Sequence, residues 1–242
     1  MKICVIGTGT MAKGIIKAFA AQMPVVMKSR TQASLDKAMG SIEKSYAKLV
    51  EKGKLAQETV DAILANISTT TDYASFADAD LVIEAAVEDM QLKKELFAEL
   101  DTICQPSAIF ATNSSSLSIT EIAAAPKRPS QFIGMHFFNP ADRMALVEVI
   151  KGQVTSEEVC QTIVDLSTSI GKTPVVVNEA PGFVVNRILF PMINEAIIVL
   201  ENGIASKEDI DTAMMYGANH KMGPLALADL VGLDICLAIM ET

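Results

Sequence analysis

The N-terminal segment KICVIGTGTMAKGI constrains the fold of this chain more than any other feature. A short apolar run leads into Gly7-x-Gly9-x-x-Ala12, and a helical pattern follows directly. A strand, a glycine turn and a helix in this order form the fingerprint of a dinucleotide-binding unit, in which the second glycine admits a pyrophosphate at the helix N-terminus. We therefore expect Gly7, Gly9, Thr10 and Met11 to bind a dinucleotide; a purely structural turn is the alternative.

Strand and helix patterns alternate over residues 1–180 and then give way to helices alone. The strand-like runs are KICVIG, VVMKS, NISTTT, LVIEAAV, AIFATN, QFIGMHFF, LVEVIK and TPVVV. Several are almost wholly apolar, as in parallel strands covered on both faces. The pattern predicts a Rossmann-type doubly wound, mostly parallel sheet, with a charged helical hairpin projecting at 31–65. Residues 181–242 are predicted to form an all-α domain with helices at 181–202, 206–217 and 223–241.

The charge and the cysteines limit the partners of the chain. A net charge of −9 argues against a nucleic-acid backbone or an anionic membrane as the main partner. The longest apolar stretch, GFVVNRILFPMINEAIIVLENG, is interrupted by polar residues and a proline, which indicates a buried helix rather than a membrane span. The four cysteines lack CxxC spacing and lie among apolar neighbours. We expect buried free thiols in a reducing cytoplasm, with neither disulfides nor a metal site.

The segment VVMKSR ends the second predicted strand, where an NAD-binding unit normally carries a carboxylate for the adenosine ribose. Here the strand ends in Lys28, Ser29 and Arg30 instead. Ser29 is small and neutral, and the planar guanidinium of Arg30 suits a phosphate, while Lys28 and Lys13 add positive potential. We therefore expect NADP, with Ser29 and Arg30 at its 2′-phosphate. NAD, with these residues as solvated charges, is the alternative.

Two further segments follow predicted strands and carry polar residues. In IEAAVEDMQLKKELF, Glu84 is a candidate strand-end group, and Glu88 could reach the nicotinamide ribose or simply balance the charge of a helix N-terminus. In TNSSSLSI, Asn113 and Ser115 belong to a run of small hydroxyl and amide residues. Such a run at the carboxyl end of a strand lies where doubly wound sheets bind ligands. Helix capping would need only one of these residues, so the run as a whole indicates hydrogen bonds to a substrate or cofactor.

The segment GMHFFNPADRMALVEVI contains one of only two histidines in the chain. His136 ends an apolar strand-like run, and Glu148 follows in the next one, between apolar neighbours. A hairpin-like return would bring the carboxylate to the imidazole and fix its tautomer, as a general acid–base requires. A satisfied core histidine is the alternative. In the later helix, Asn186 interrupts an apolar face and could reach a substrate carbonyl or satisfy the backbone.

These segments together resemble the 3-hydroxyacyl-CoA dehydrogenase family, particularly its bacterial short-chain members. The resemblance covers essentially the whole chain and is carried by KICVIGTGTM, ATNSSSLSI, IGMHFFNPADRMALVEVI, EAPGFVVNRILFPMINEA and GANHKMGPLALADLVGLDICLAI. It implies interconversion of acetoacetyl-CoA and (S)-3-hydroxybutyryl-CoA by hydride transfer, here with NADP(H). His136 would be the general acid–base with Glu148 as its partner, and Ser115 and Asn186 would hydrogen-bond the substrate oxygen.

The resemblance also implies binding residues and partners. Glu88 and Lys93 match cofactor contacts near the nicotinamide, and Ser45 and Lys52 match contacts to the short-chain acyl-CoA. The hairpin segment EKSYAKLVEKGK places three lysines on one helical face, which could meet CoA phosphates or be a solvated surface. A homodimer through the C-terminal substrate-binding domain is implied as well.

The sequence departs from the family pattern in several places. Ser29 replaces the usual acidic residue, Ala12 replaces a glycine, and Lys221 replaces a proline. Family members also continue beyond the position of Thr242, and such a segment would pack on the C-terminal domain. Two alternatives therefore stay open: an NAD-dependent hydroxy-acid dehydrogenase of the same superfamily, or an inactive nucleotide-binding fragment.

Overall fold

The computed structural model describes residues 1–241, which form two compact units. The first unit spans Met1–Glu179, and the second begins at Ala180. Each unit has its own hydrophobic core.

The first unit is built on one eight-stranded sheet in the order β3-β2-β1-β4-β5-β6-β7-β8. The strands are β1 (Ile3–Ile6), β2 (Val25–Lys28), β3 (Ile67–Thr70), β4 (Leu81–Glu84), β5 (Ile109–Thr112), β6 (Phe132–Phe137), β7 (Leu146–Lys151) and β8 (Thr173–Asn178). Neighbouring strands are parallel except β6 and β7, which pair antiparallel. The order of the first six strands is that of a dinucleotide-binding fold. The predicted Rossmann-type sheet is therefore confirmed.

Helices cover this sheet and are started by residues that suit helix N-termini. They are α1 (Thr10–Ala20), α2 (Gln32–Glu51), α3 (Gln57–Ala65), α4 (Met90–Ile103), α5 (Ile119–Ala123) and α6 (Glu157–Ser169). Side-chain oxygens of Thr31, Asp89, Ser118 and Ser156 accept from backbone N–H groups in the first turns of α2, α4, α5 and α6. These bonds satisfy N–H groups that have no partner within the helix.

The predicted hairpin at 31–65 is present as α2 and α3, but it does not simply project from the domain. Leu35, Ala38, Ile42 and Tyr46 on α2 are buried in the main core, as are apolar residues of α3. The apolar side chains of α2 recur at helical spacing, so one face packs inward and the charged face stays exposed.

The second unit is helical, with α7 (Val185–Glu201), α8 (Lys207–Gly217), α9 (Pro224–Val231) and α10 (Leu233–Met240). The helix predicted at 223–241 is interrupted at Gly232, whose φ of 101° lies in the left-handed region. Glycine adopts this conformation without a steric penalty, so the chain turns there and starts a new helix. Across residues 1–241, the longest helices are too short or too polar to cross a membrane. All four cysteines are buried free thiols, as predicted.

Candidate active site

The turn between β1 and α1 contains two glycines, and the space around their Cα atoms differs. Gly7 has a φ of 130°, and a Cβ placed there would lie 2.5 Å from the carbonyl oxygen of Ala85. Gly9 begins α1, and a Cβ there would meet no atom within 4 Å in the described part of the chain. The protein therefore requires glycine at position 7, whereas position 9 leaves open space at a helix N-terminus. That space fits the pyrophosphate of a dinucleotide.

A cleft of about 830 Å³ opens beside this turn. It is lined by the turn itself, by the ends of β2 and β4, and by apolar side chains of α4, and its walls include Gly7, Gly9, Ser29, Arg30, Tyr73, Glu84, Val87, Leu92, Lys93 and Leu96. Thr10 instead lines a smaller cleft with Lys13, and the half-buried side chain of Met11 packs against the core. Thr10 and Met11 would thus meet a dinucleotide through backbone N–H groups in the first turn of α1, which lack partners within the helix.

The end of β2 is positively charged where it enters the cleft. Ser29, the exposed Arg30, Thr31 and Ser34 all line this end, and Thr31 begins α2. Lys28 also lines it, yet the residue is only 5% exposed, and its Nζ lies 3.3 Å from the centroid of the Tyr73 ring. Burial lowers the pKa of Lys28 against the opposing attraction of Glu99. Lys13 donates to Ser41 on α2, so it contributes to a different surface.

The end of β4 carries a buried charge network. Glu84 and Lys93 are 0% and 3% exposed, and the Lys93 ammonium lies 2.6 Å from Glu84 Oε2 and 3.3 Å from Glu88 Oε2. Burial acts to raise the pKa of Glu88, but the charge of Lys93 and the hydrogen bonds from Ser114 and Ser115 outweigh it and lower the pKa. Glu88 is therefore held ionised at neutral pH.

The serine-rich turn after β5 is organised by Glu88. Glu88 Oε1 accepts from Ser114 Oγ at 2.5 Å and from the backbone N–H of Ser115 at 2.9 Å. Ser114 is fully buried, and its Oγ also accepts from Leu117 N. The turn thus places Ser115 beside a carboxylate that also borders Lys93.

His136 and Glu148 are brought together by the antiparallel pairing of β6 and β7. The two residues are direct partners in the register, and His136 Nδ1 lies 2.8 Å from Glu148 Oε2. Both are buried, at 6% and 0% exposure. The predicted hairpin-like return is therefore present. With Glu148 accepting from Nδ1–H, the lone pair of the neutral ring lies on Nε2, which is the nitrogen that a general acid–base would use.

The strand end that carries His136 is tied to the serine turn. Asn113 Oδ1 accepts from the backbone N–H of Phe137, the residue after His136, at 3.0 Å. Asn113 N in turn donates to the carbonyl of Glu84. The amide oxygen of Asn113 thus has a structural role, which leaves its NH₂ group as the part that could donate to a cofactor.

The loop between β6 and β7 is anchored from three sides. Lys17 on α1 pairs with Asp142, and the buried Lys172 donates to the carbonyls of Ala141 and Met144. A Cβ on Gly14 would lie 2.9 Å from the Cβ of Ala141, so α1 contacts this loop closely. The loop connects the two residues of the His136–Glu148 pair, and its anchoring holds their strands in register.

A second, open cleft of about 580 Å³ runs along α2. Ser45 and Lys52, which match acyl-CoA contacts in the family pattern, line it together with Lys37, Gly40, Ser41, Lys44, Lys48, Leu49 and Arg143. Five of these residues are cations, in a chain whose net charge is −9. We call this cleft the basic groove. Ser45 Oγ donates to the carbonyl of Ile42 in its own helix.

Asn186 belongs to the second unit. It lies near the start of α7, is 8% exposed, and lines a cleft of about 170 Å³ with Pro181, Arg187, Phe190, Ile239 and Met240. Its role toward a substrate stays a prediction.

Sequence reasoning missed several residues that shape the site. Glu84 was considered only as a strand-end group, although a lysine nine positions later on a following helix is a signal for such a pair. Ser114, and not only Ser115, anchors the serine turn. Arg143 joins the basic groove from a loop far away in the sequence, and nothing in the sequence indicated that it would.

The fold and this arrangement define a class of protein. A doubly wound sheet with a dinucleotide turn, and a histidine–carboxylate pair on neighbouring strands of the same sheet, are typical of a nicotinamide-dependent oxidoreductase.

Comparison with known proteins narrows the class to a family. Residues 2–180 match the family described as "3-hydroxyacyl-CoA dehydrogenase, NAD binding domain", and residues 182–242 match "3-hydroxyacyl-CoA dehydrogenase, C-terminal domain". The chain is 57% identical over 242 residues to the 3-hydroxybutyryl-CoA dehydrogenase of Clostridioides difficile, covering 100% of this chain and 86% of that protein. It is 46% identical over 246 residues to the mitochondrial hydroxyacyl-coenzyme A dehydrogenase of Rattus norvegicus, covering 99% and 78%.

A solved structure agrees with these sequence matches. The crystal structure of (S)-3-hydroxybutyryl-CoA dehydrogenase from Ralstonia eutropha has a TM-score of 0.96 and 46% identity, over 99% of this chain and 85% of that one. The chain belongs to the 3-hydroxyacyl-CoA dehydrogenase family, and its first unit is the nicotinamide dinucleotide-binding domain.

Proposed function

We propose that this chain interconverts acetoacetyl-CoA and (S)-3-hydroxybutyryl-CoA, using NADP(H). The observation that carries the proposal is the buried His136–Glu148 pair at 2.8 Å, next to a strand end that Asn113 ties to the serine turn. The names of the relatives from Clostridioides difficile and Ralstonia eutropha, both 3-hydroxybutyryl-CoA dehydrogenases, support the choice of substrate.

The mechanism rests on proton transfer at His136 Nε2. When bound, the nicotinamide dinucleotide supplies or accepts the hydride at C3 of the acyl chain. In reduction, protonated His136 gives its Nε2 proton to the ketone oxygen; in oxidation, neutral His136 takes it back. Glu148 accepts from Nδ1–H in both directions, so it holds one ring orientation throughout.

The substrate oxygen needs hydrogen-bond donors as negative charge develops on it. Ser115 is proposed as one donor, because its backbone is fixed by Glu88 at 2.9 Å. Asn186 is proposed as another on the strength of the motif EAPGFVVNRILFPMINEA. Preorganised donors of this kind contribute about 3 kcal/mol each to transition-state stabilisation.

The CoA moiety is proposed to bind in the basic groove. Its phosphates are anions, and Lys44, Lys48, Lys52 and Arg143 all line the groove. Local positive charge of this kind would concentrate a polyanionic ligand on a protein that is otherwise acidic.

The choice of NADP over NAD rests on the end of β2. Ser29 and Arg30 stand where an NAD enzyme needs a carboxylate, and Lys28 lines the same end of the cleft. The first turn of α2 is formed by Gln32, Ala33 and Ser34, so it adds no negative charge near a 2′-phosphate. The positive end of a long helix also favours an anion there.

The test is a set of initial rates with acetoacetyl-CoA, titrating NADPH and NADH separately, on the wild type and on Ser29→Asp/Arg30→Ile. We expect a preference for NADPH that reverses in the double variant. A preference for NADH in the wild type would reduce Arg30 to a surface charge. Turnover of a free hydroxy acid without turnover of the CoA ester would favour an NAD-linked hydroxy-acid dehydrogenase. Cofactor binding without any turnover would favour an inactive nucleotide-binding protein.

A homodimer through the second unit is also proposed. This unit exposes large apolar side chains, including Ile188, Ile204, Leu230, Leu233 and Leu237. Light scattering after size-exclusion chromatography should give twice the monomer mass, and Leu230→Lys should lower it.

The four free thiols fit the reducing cytoplasm that we propose as the location.

A further inference from the structure

Glu84 is a fully buried carboxylate in the middle of the sheet. It ends β4, between β1 and β5, and it lines the dinucleotide cleft. Four hydrogen bonds reach it: two from Lys93 Nζ at 2.7 and 2.6 Å, one from Ala86 N at 2.7 Å and one from Thr112 Oγ1 at 2.6 Å. A buried carboxylate that accepts this many hydrogen bonds is held in one place.

Lys93 carries the interaction onward. Its ammonium is nearly fully buried and also lies 3.3 Å from Glu88 Oε2. The longer of its two carboxylate contacts is thus the one to Glu88, and the tighter one is to Glu84. The position of the ammonium is therefore set mainly by Glu84.

Glu88 connects the ammonium to the serine turn. One carboxylate oxygen of Glu88 faces Lys93, while the other accepts from Ser114 Oγ at 2.5 Å and from Ser115 N at 2.9 Å. If Glu84 were lost, the buried ammonium of Lys93 would have Glu88 as its remaining carboxylate partner and would move toward it. Glu88 would then be drawn away from its hydrogen bonds with Ser114 and Ser115. The chain of contacts runs from Glu84 through Lys93 and Glu88 to Ser115.

We propose that Glu84 is a positioning residue for this enzyme: by holding Lys93, it keeps Glu88 aligned for the dinucleotide and Ser115 aligned for the substrate oxygen. The part about Ser115 rests on the proposed function, whereas the part about the dinucleotide rests on the family. In the competing explanation Glu84 only stabilises the fold. Both explanations predict a less stable Glu84→Gln variant, so stability cannot separate them.

A double-mutant cycle separates the two explanations. The four proteins are the wild type, Glu84→Gln, Glu88→Gln and the double variant, and circular dichroism first checks that each one is folded. The fluorescence of the reduced dinucleotide then gives the dissociation constants of NADPH and NADH for each protein. We expect Glu84→Gln to weaken binding of the preferred dinucleotide about tenfold, and the double variant to bind within about threefold of Glu88→Gln alone, because coupled residues are not additive. Losses that multiply would overturn the proposal, as would unchanged binding in Glu84→Gln.

The same cycle with Ser115→Ala, read as kcat for acetoacetyl-CoA, tests the second half of the chain. Positioning predicts that Glu84→Gln costs about tenfold or more in the wild type and little in the Ser115→Ala background. If the wild type does not turn over acetoacetyl-CoA, the proposed substrate fails, while the dinucleotide cycle still decides the role of Glu84.

Two further variants complete the experiment: a milder alternative to Glu84→Gln and a matched control. Thr112→Val removes the hydrogen bond to Glu84, together with the longer one that Thr112 Oγ1 accepts from Ser114 N at 3.2 Å, and changes no charge. It is therefore the milder variant if Glu84→Gln does not fold, and a loss of binding of about threefold is expected. Lys94→Met is the matched control, because Lys94 follows Lys93 on α4 but pairs with the exposed Glu121. Lys94→Met should leave both readouts unchanged; a loss as large as that of Glu84→Gln would contradict the proposal.

Discussion

His136 and Glu148 face each other as register partners of the antiparallel strands β6 and β7, with Nδ1 and Oε2 2.8 Å apart. The two strands hold the backbones of both residues, so the imidazole is oriented without help from a flexible segment. Their connecting loop is fixed in turn by Lys17 and Lys172. A proton-transfer group held in this way needs little reorganisation during the reaction.

Removal of either member of this pair should abolish most of the activity. We expect His136→Gln to lower kcat by about 10²- to 10⁴-fold, since the proton donor is lost. Glu148→Gln should also lower kcat by about 10²-fold or more, because an amide can favour the wrong tautomer. Steady-state kinetics with acetoacetyl-CoA would measure both effects. Dinucleotide dissociation constants should change less than threefold, and a large loss of dinucleotide binding would contradict an exclusive role in proton transfer.

The two glycines of the β1–α1 turn should separate stability from cofactor binding. Gly7→Ala forces a Cβ into contact with the Ala85 carbonyl at a left-handed φ, so it should lower the free energy of unfolding by about 2 kcal/mol or more. The Cβ added by Gly9→Ala meets no atom of residues 1–241 within 4 Å, so this variant should cost about 1 kcal/mol or less. Gly9→Ala should nevertheless weaken dinucleotide binding at least tenfold. Urea unfolding and fluorescence titration test both halves, and equal unfolding free energies for the two variants would refute the distinction.

The basic groove should matter for CoA esters and not for small thioesters. Lys48→Gln/Arg143→Gln removes two of its five cations, and we expect KM for acetoacetyl-CoA to rise about tenfold at low salt. KM for acetoacetyl-N-acetylcysteamine, which lacks the nucleotide, should stay the same. Lys127→Gln on an exposed loop is the control for lost positive charge. A rise in KM for both thioesters would argue against the groove as the CoA site.

The lowered pKa of Glu88 predicts how its contribution to stability depends on pH. A carboxylate whose pKa is lower in the folded state stabilises the fold above its unfolded pKa, which is near the ordinary value of 4.5, and loses this contribution as the pH falls through the folded value. The difference in unfolding free energy between the wild type and Glu88→Gln should thus be constant above about pH 6 and shrink below about pH 4.5. Urea unfolding at several pH values measures it. If this difference in unfolding free energy instead increased as the pH falls, the pKa of Glu88 would be raised on folding, and the prediction would be wrong.

Local patterns predicted a large part of the fold and of the site. The strand–glycine–helix segment predicted the dinucleotide turn because all of its residues are adjacent in the chain. Alternation of apolar runs predicted the sheet, and the spacing of His136 and Glu148 predicted a hairpin between them. The prediction of one continuous helix over 223–241 was wrong, because a single glycine in an otherwise helical pattern does not reveal whether its φ is positive.

The sequence by itself determined the family, the dinucleotide turn and the histidine–carboxylate pair, since each depends on short segments with few alternative structures. Only the tertiary structure decided that Lys93 bridges Glu84 and Glu88, that Lys28 is buried over Tyr73, and that Arg143 joins the lysines of α2. These contacts join residues from different elements, and side-chain direction at an element end depends on how the elements pack. Burial and pairing of a charge follow from that packing, because the cost of desolvation is set by every neighbour at once.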